Sequence, residues 1–354
     1  MGILRLLLAI SVVIHHTPNA GIAFTNGGVA VQAFYVISGY FIAMVLSGKY
    51  SAYTTFYINR GLRLYPVYLV VLLLSAIQLF VAGSNRYLKV EQIELVSDPL
   101  SAFALIFANL TLIGQEWIVW FDVDGQTGAL TPDLTASSAG PVTAWRFLLV
   151  PQAWTLSLEL AFYSVAPFLV KRHVGVIAAV AVASLVIRMC WEVAGVDYNL
   201  WVRRMFASEL CLFLLGVLAF RLTPSFVAFT GARRARTIGF ASLAALVALV
   251  CVHSTLFGVT AMGRAILFFS LAISLPFIHH ALGRNSIDRR IGDLSYPVYI
   301  VHILVIASIR QWAPDHAGVA VMIAATLIAA IILYLLIDRP VDALRQRLVA
   351  VSAT

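Results

Sequence analysis

The residues of this sequence that can do chemistry are few and grouped. Arg5 and His16 flank ten residues that are almost all apolar. On a helix the two would lie about 16 Å apart. That arrangement sets a cationic handle for an anion at one end and a candidate general base at the other. It also fits an edge arginine with a structural histidine. His15 points roughly 100° away from His16 on a helix, so only one of the two faces a given cavity. Arg60 and Arg63, within Asn59-Arg60-Gly61-Leu62-Arg63-Leu64-Tyr65-Pro66, stand at i, i+3 and share a helix face. Paired guanidiniums suit bidentate phosphate contacts and serve equally as anchors at a membrane edge. In Trp154-Thr155-Leu156-Ser157-Leu158-Glu159, the carboxylate lies about 10 Å into an apolar stretch, where it needs a partner. Glu159 could orient a histidine, accept a substrate hydroxyl or close a structural hydrogen bond.

Two softer groups accompany these. Phe34-Tyr35-Val36-Ile37-Ser38-Gly39-Tyr40 combines a glycine that permits close helix approach with a serine that can bond across helices. Gly292 to His302 puts Ser295, Tyr299 and His302 along one helical stripe, either a lined cavity or a polar seam. No phosphate-binding glycine loop, nucleophile elbow or zinc-binding spacing appears, and nothing calls for a metal. His279-His280 reads as interfacial. Cys190, Cys211 and Cys251 lie in or beside apolar segments without a CxxC pair and read as packing residues.

The elements that must hold these residues are set by hydropathy. Of 354 residues, 61% are hydrophobic and 11% charged, against about 25% charged in a soluble domain. The mean hydropathy is +0.93. Such a chain cannot clothe a soluble core in polar residues. Its apolar residues come in blocks long enough to cross a bilayer. Spans are expected near 3–17, 27–47, 62–82, 152–171, 173–191, 205–222, 237–253, 262–281, 294–312 and 317–337. The fold class is therefore all-α, a polytopic membrane protein with about ten transmembrane helices. The first block reads as an uncleaved helix rather than a signal peptide, because His15, His16 and Pro18 interrupt it. Residues 100–114 are expected to be re-entrant or interfacial.

The net charge of +8 does not signal nucleic acid, because the basic residues sit in short loops between apolar blocks. With the N-terminus inside, 16 of the 24 Lys and Arg fall on the cytoplasmic side, Lys49 and Arg347 among them, and 8 on the other. That excess predicts N-in, C-in topology. The acidic loop 83–151 then lies outside, with 125–141 expected to be flexible. No repeat or appended soluble domain appears, and 1–354 reads as one integral membrane unit.

Taken together, the groups resemble the acyltransferase 3 family, integral membrane enzymes that O-acylate sugars and related acceptors. Arg5-x10-His16 resembles the family's motif in its first helix. Arg60-x-x-Arg63 resembles its RxxR, and Trp154 to Tyr163 its W-S-L-S-x-E-x-x-F-Y run. Phe34 to Gly39 and Leu294 to His302 are softer matches. Thr155 stands where the family usually has Ser, Tyr35 and Tyr40 where Phe is common, and the acidic residue often found before Phe34 is absent.

The resemblance implies acyl-CoA, most simply acetyl-CoA, as a donor substrate on the cytoplasmic side, bound by Arg5, Arg60 and Arg63. It implies a hydroxyl acceptor, such as a surface or lipid-linked glycan. His16 is the expected catalytic base, with Glu159 orienting it or binding the sugar, and an acyl-histidine route stays open. His15, Ser38, Trp154, Ser157, Tyr163, Ser295, Tyr299 and His302 are the expected acceptor or cavity-lining residues. The expected place is the cell (inner) membrane, with the bilayer as partner, no bound cofactor and no nucleic acid. The competing class is a transporter or flippase, which would also bury ionisable residues. A third is a non-catalytic membrane partner. Binding of acetyl-CoA in detergent separates the first from the second. The sequence names neither the acceptor nor the oligomeric state.

Overall fold

The computed structural model describes residues 1–48, 53–134 and 142–351. Lys49 and residues 135–141, the second part of the stretch expected to be flexible, lie outside them, as does the side chain of Arg347. The described chain is mostly helical. Its α-helices run α1 Gly2–His16, α2 Gly27–Ser47, α3 Tyr53–Ala82, α4 Pro99–Thr111, α5 Trp154–Leu169, α6 Val174–Val193, α7 Phe206–Thr230, α8 Ala232–Phe257, α9 Ala261–Leu282, α10 Ser286–Asp293, α11 Ser295–Trp312, α12 Val319–Leu333 and α13 Arg339–Val351. Among the described residues, eight helical stretches are long and apolar enough to cross a membrane. α1 and α5 coincide with expected spans but, at 15 and 16 residues, reach only about 23–24 Å, short of a bilayer core. The protein is an integral membrane protein of all-α class.

Apolar side chains face outward along the long helices, among them Leu73, Phe80, Val182, Phe229, Met262 and Leu336. In water such a surface would aggregate; in lipid it is the solvated face. α6 and α8 are the most lipid-exposed, whereas α2 is largely enclosed. α2 packs against α1, α5, α7 and α9. Its contact with α7 is backbone to backbone: a Cβ on Gly39 would sit 1.9 Å from the Phe213 carbonyl oxygen, and one on Gly216 1.9 Å from that of Val36. α1 lies between α2 and α11, and its first turn is held by α10. The Asp288 carboxylate accepts from the N–H groups of Gly2 and Ile3 at 2.9 and 3.1 Å, satisfying donors that a helix start leaves open. That contact fixes the depth of Arg5 and His16.

The described residues of the loop 83–151 form a small folded cap rather than a tether. Asp98 caps α4, and hydrogen bonds from Ser101 hold its carboxyl below the ordinary range. β1 (Phe121–Val123) pairs antiparallel with β2 (Leu130–Pro132) and β3 (Val142–Thr143). Leu79, Leu88, Leu105, Val123 and Phe147 form a separate core beneath them. Residues 125–134, the first part of the stretch expected to be flexible, are a hairpin connection and strand. The Asp124 carboxylate accepts from Gln126, Thr127 and the Thr127 hydroxyl and closes the turn. α4 is a regular 13-residue helix whose Leu100, Phe103 and Ile106 point outward.

Candidate active site

Two cavities approach the centre of the molecule from opposite ends of α1, and they share no lining residue. The larger, about 450 Å³, is lined by Arg5, Ser38, Arg60, Arg63, Glu159, Tyr163, Ser295 and Tyr299, among others. The smaller, about 140 Å³, is lined by His16, Trp154, Tyr87, Trp145, Gln152 and Arg204, among others. Helical rise puts Arg5 in one chamber and His16 in the other.

In the large cavity, which Arg289 and Arg345 also line, the three arginines expected at the donor site differ. Arg5 has no ion-pair partner among the described residues, and its guanidinium carbon lies 5.8 Å from the Phe41 ring. Arg60 lies between the Phe56 and Tyr163 rings at 6.0 and 5.9 Å. Its Nη2 donates to Asn59 at 2.8 Å, and its buried Nε has no partner. Arg63 instead sits between Asp293 and Asp338, 3.7 Å from each. The wide π-turn Tyr334–Asp338 delivers Asp338 to it. Arg63 ties α3 to the polar ends of α10 and α12, while Arg5 and Arg60, of these three, are left open to an anion.

Glu159 belongs to this chamber too. Its Oε1 accepts from Ser38 at 2.6 Å and from Tyr163 at 2.5 Å. It does not orient His16, a correction to that expectation: the two hydroxyls draw the carboxylate toward the Arg60 side. Ser295 donates to the Gly292 carbonyl at 2.6 Å and holds the α10–α11 corner.

The wall between the cavities is built from α5 and α11. The Tyr299 and Thr155 hydroxyls share a hydrogen bond at 2.7 Å, and both reach the Gln152 carbonyl, at 2.8 and 3.1 Å. One turn further along α11, His302 is fully buried and lies behind Tyr299, ring centroids 5.8 Å apart. His302 Nδ1 is 2.5 Å from the Tyr299 carbonyl. A carbonyl only accepts, so that nitrogen carries the proton and Nε2 is left as an acceptor. His16 Nδ1 is 2.9 Å from the Val12 carbonyl and 3.3 Å from His302 Nε2, so it too carries its proton and shares it between them. His16 Nε2 therefore keeps a bare lone pair. His302, not Glu159, orients the candidate base. His15 is exposed and rests against Gly27.

Beside the small cavity, the indole of Trp154 lies beneath two guanidiniums, Arg204 at 4.2 Å and Arg203 at 5.5 Å. Ser157 donates to the buried Glu116, whose carboxyl is raised by burial against that hydrogen bond. Gln32, in the segment that lacks the expected acidic residue, donates to Glu209 at 2.6 Å and to Tyr198 at 3.2 Å. Glu209 is in turn paired with Arg188 at 2.9 Å. Arg204, Tyr87, Trp145 and Gln152 were not read from the sequence. The Arg203-Arg204 pair does stand out there, as two cations on the side that the charge bias leaves poor.

A family model described as an acyltransferase domain matches residues 1–337. The chain is 26% identical over 351 residues to Nodulation protein 10 of Rhizobium leguminosarum bv. viciae, covering 92% of this chain and 85% of that protein. No solved structure matches. The match spans the arginines of one chamber, the histidines of the other and the wall between them, and on it this chain belongs to the acyltransferase 3 family of integral membrane acyltransferases.

Proposed function

We propose that this acyltransferase takes an acyl group, most simply acetyl, from cytoplasmic acyl-CoA and passes it to a hydroxyl of a glycan or lipid-linked sugar. The observation that carries the reading is the placement of Arg5 and His16 in different chambers on one helix. Residues 1–354 act as one unit in the cell (inner) membrane, with both termini inside. The large cavity takes the donor, with its phosphates near Arg5 and Arg60. The pantetheine arm then runs toward Tyr299 and Thr155.

In this reading the acceptor enters the small cavity. His16 Nε2 takes the proton of the acceptor hydroxyl as its oxygen attacks the thioester carbonyl. The tetrahedral intermediate collapses, the C–S bond breaks, and the thiolate leaves with the proton returned from the imidazolium. The acyl-histidine route uses the same nitrogen as nucleophile. Either way the acyl group must pass the Tyr299–Thr155 wall. Glu159, held by Ser38 and Tyr163, is a donor-side group.

The test is purified protein in nanodiscs with radiolabelled acetyl-CoA and a panel of glycosides. Binding of acetyl-CoA and labelling of a glycoside are expected, with His16→Ala abolishing transfer while leaving acetyl-CoA binding in place. His15→Ala should be milder. Protonation removes the lone pair, so turnover falls on acidification. Undiminished transfer by His16→Ala at matched thermal stability would overturn the reading.

A further inference from the structure

We propose that the acceptor is anionic: the outer cavity is a subsite for a carboxylate or phosphate group carried on the acceptor, held by Arg204, Arg203 and Arg86 beside His16. This rests on the acyltransferase reading and narrows its substrate class.

Arg204 lines the same cavity as His16. Arg86 lies over Tyr87, 5.4 Å from its ring centroid, and Tyr87 and Trp145 line that cavity together, 5.1 Å apart. All three arginines end in buried nitrogens without a hydrogen-bond partner: Arg86 Nη1, Arg203 Nε and Arg204 Nη1. None of the three is ion-paired among the described residues, although Arg203 Nη1 donates to Asn199 at 2.9 Å. Other arginines on this side are treated differently. Arg188 is paired with Glu209 and Glu192, and Arg264 with Glu192.

The surroundings add to the deficit of negative charge. The Arg203 guanidinium rests on Gly28, where a Cβ would come 2.5 Å from its Cζ. It thus faces the N-terminus of α2, a positive end. The nearby carboxylate, Glu116, accepts from Ser157 and acts on Arg204 only through space, without an ion pair between them. Burial first, and Arg203 second, lower the pKa of Arg204 from its ordinary value. A buried guanidinium nitrogen without a partner is costly; Arg204, which alone of the three lines the cavity, would meet an anion brought in by the acceptor with charge-assisted bonds, and Arg203 and Arg86 would add their charge beside it. The indole and ring faces of Trp154, Tyr87 and Trp145 offer the apolar surface on which a sugar ring stacks.

The test needs no acyl transfer. Ligand-observed NMR on protein in phosphatidylcholine nanodiscs would compare methyl glucoside, methyl glucuronide and glucose 1-phosphate. The anionic sugars should bind at least about tenfold more tightly than the neutral one. Arg204→Gln and, separately, Arg86→Gln should erase the difference, and Arg204→Lys should keep part of it. The stronger of the two anions tells a uronate-bearing acceptor from a phosphate-bearing one. Equal binding of all three sugars, or a preference that survives both glutamine variants, would overturn the proposal. So would loss of sugar binding when anionic lipid replaces part of the phosphatidylcholine, because the ligand would then be a membrane lipid. Acetyl-CoA binding to the same samples tests the donor reading on its own.

Discussion

At the scale of single residues, what a side chain can do here depends on what already holds it. Arg60 and Arg63 share a face and a motif, yet only Arg63 is compensated, by Asp293 and Asp338. The two substitutions should therefore fail differently. Arg60→Ala should weaken acetyl-CoA binding by roughly 1.5–3 kcal/mol, the value of a charge-assisted contact, with little change in thermal stability. Arg63→Ala leaves two carboxylates facing each other at the α10 and α12 ends, and should lower the thermal midpoint in detergent before it touches affinity. Calorimetric titration and a melting curve on both variants distinguish the cases; equal losses of affinity at unchanged stability would return Arg63 to the donor site. The same dependence on neighbours explains what the sequence left unread. His16 was legible because its spacing from Arg5 is a helix property. Its partner was not, because His302 lies 286 residues away and only the packing of α1 on α11 brings the rings together.

At the scale of elements, the apolar blocks were legible and their ends were not. α3 begins at Tyr53, nine residues before the apolar block that marks it, and α8 begins at Ala232, ahead of Arg233, Arg234 and Arg236. Hydropathy reports where lipid ends; a helix carries its hydrogen bonds on into the polar layer. Strands of two or three residues in the folded cap are too short for a two-residue period to show, so the cap was read as a loop. The close approach of α2 to α7 could be suspected from Gly39, but its partner Gly216 is one small residue among many. Gly216→Ala should force a Cβ against the Val36 carbonyl, an overpacking that costs about 1–3 kcal/mol. A lower melting temperature with unchanged acetyl-CoA affinity in the surviving fold is the expected outcome, and wild-type stability would show that the two helices can part.

At the scale of the whole molecule, the charge bias and the two chambers make one statement about sidedness. If both termini are cytoplasmic, the arginine chamber opens inward and the histidine chamber outward. Cysteines introduced at Gly125 and Thr230 should then label from opposite faces of sealed vesicles. Labelling from one face would invert or break the arrangement, and with it the direction of acyl transfer. The α2–α7 seam bears on that transfer as well. In mechanical terms it is the stiff side of the protein, since interlocked backbones cannot yield as side chains do. The compliance that the proposed transfer needs must then come from the wall beside that seam, where α5 and α11 meet through the Thr155–Tyr299 hydroxyl pair. A rigid spine beside a hydroxyl latch would let one phenol ring set how often the two compartments meet.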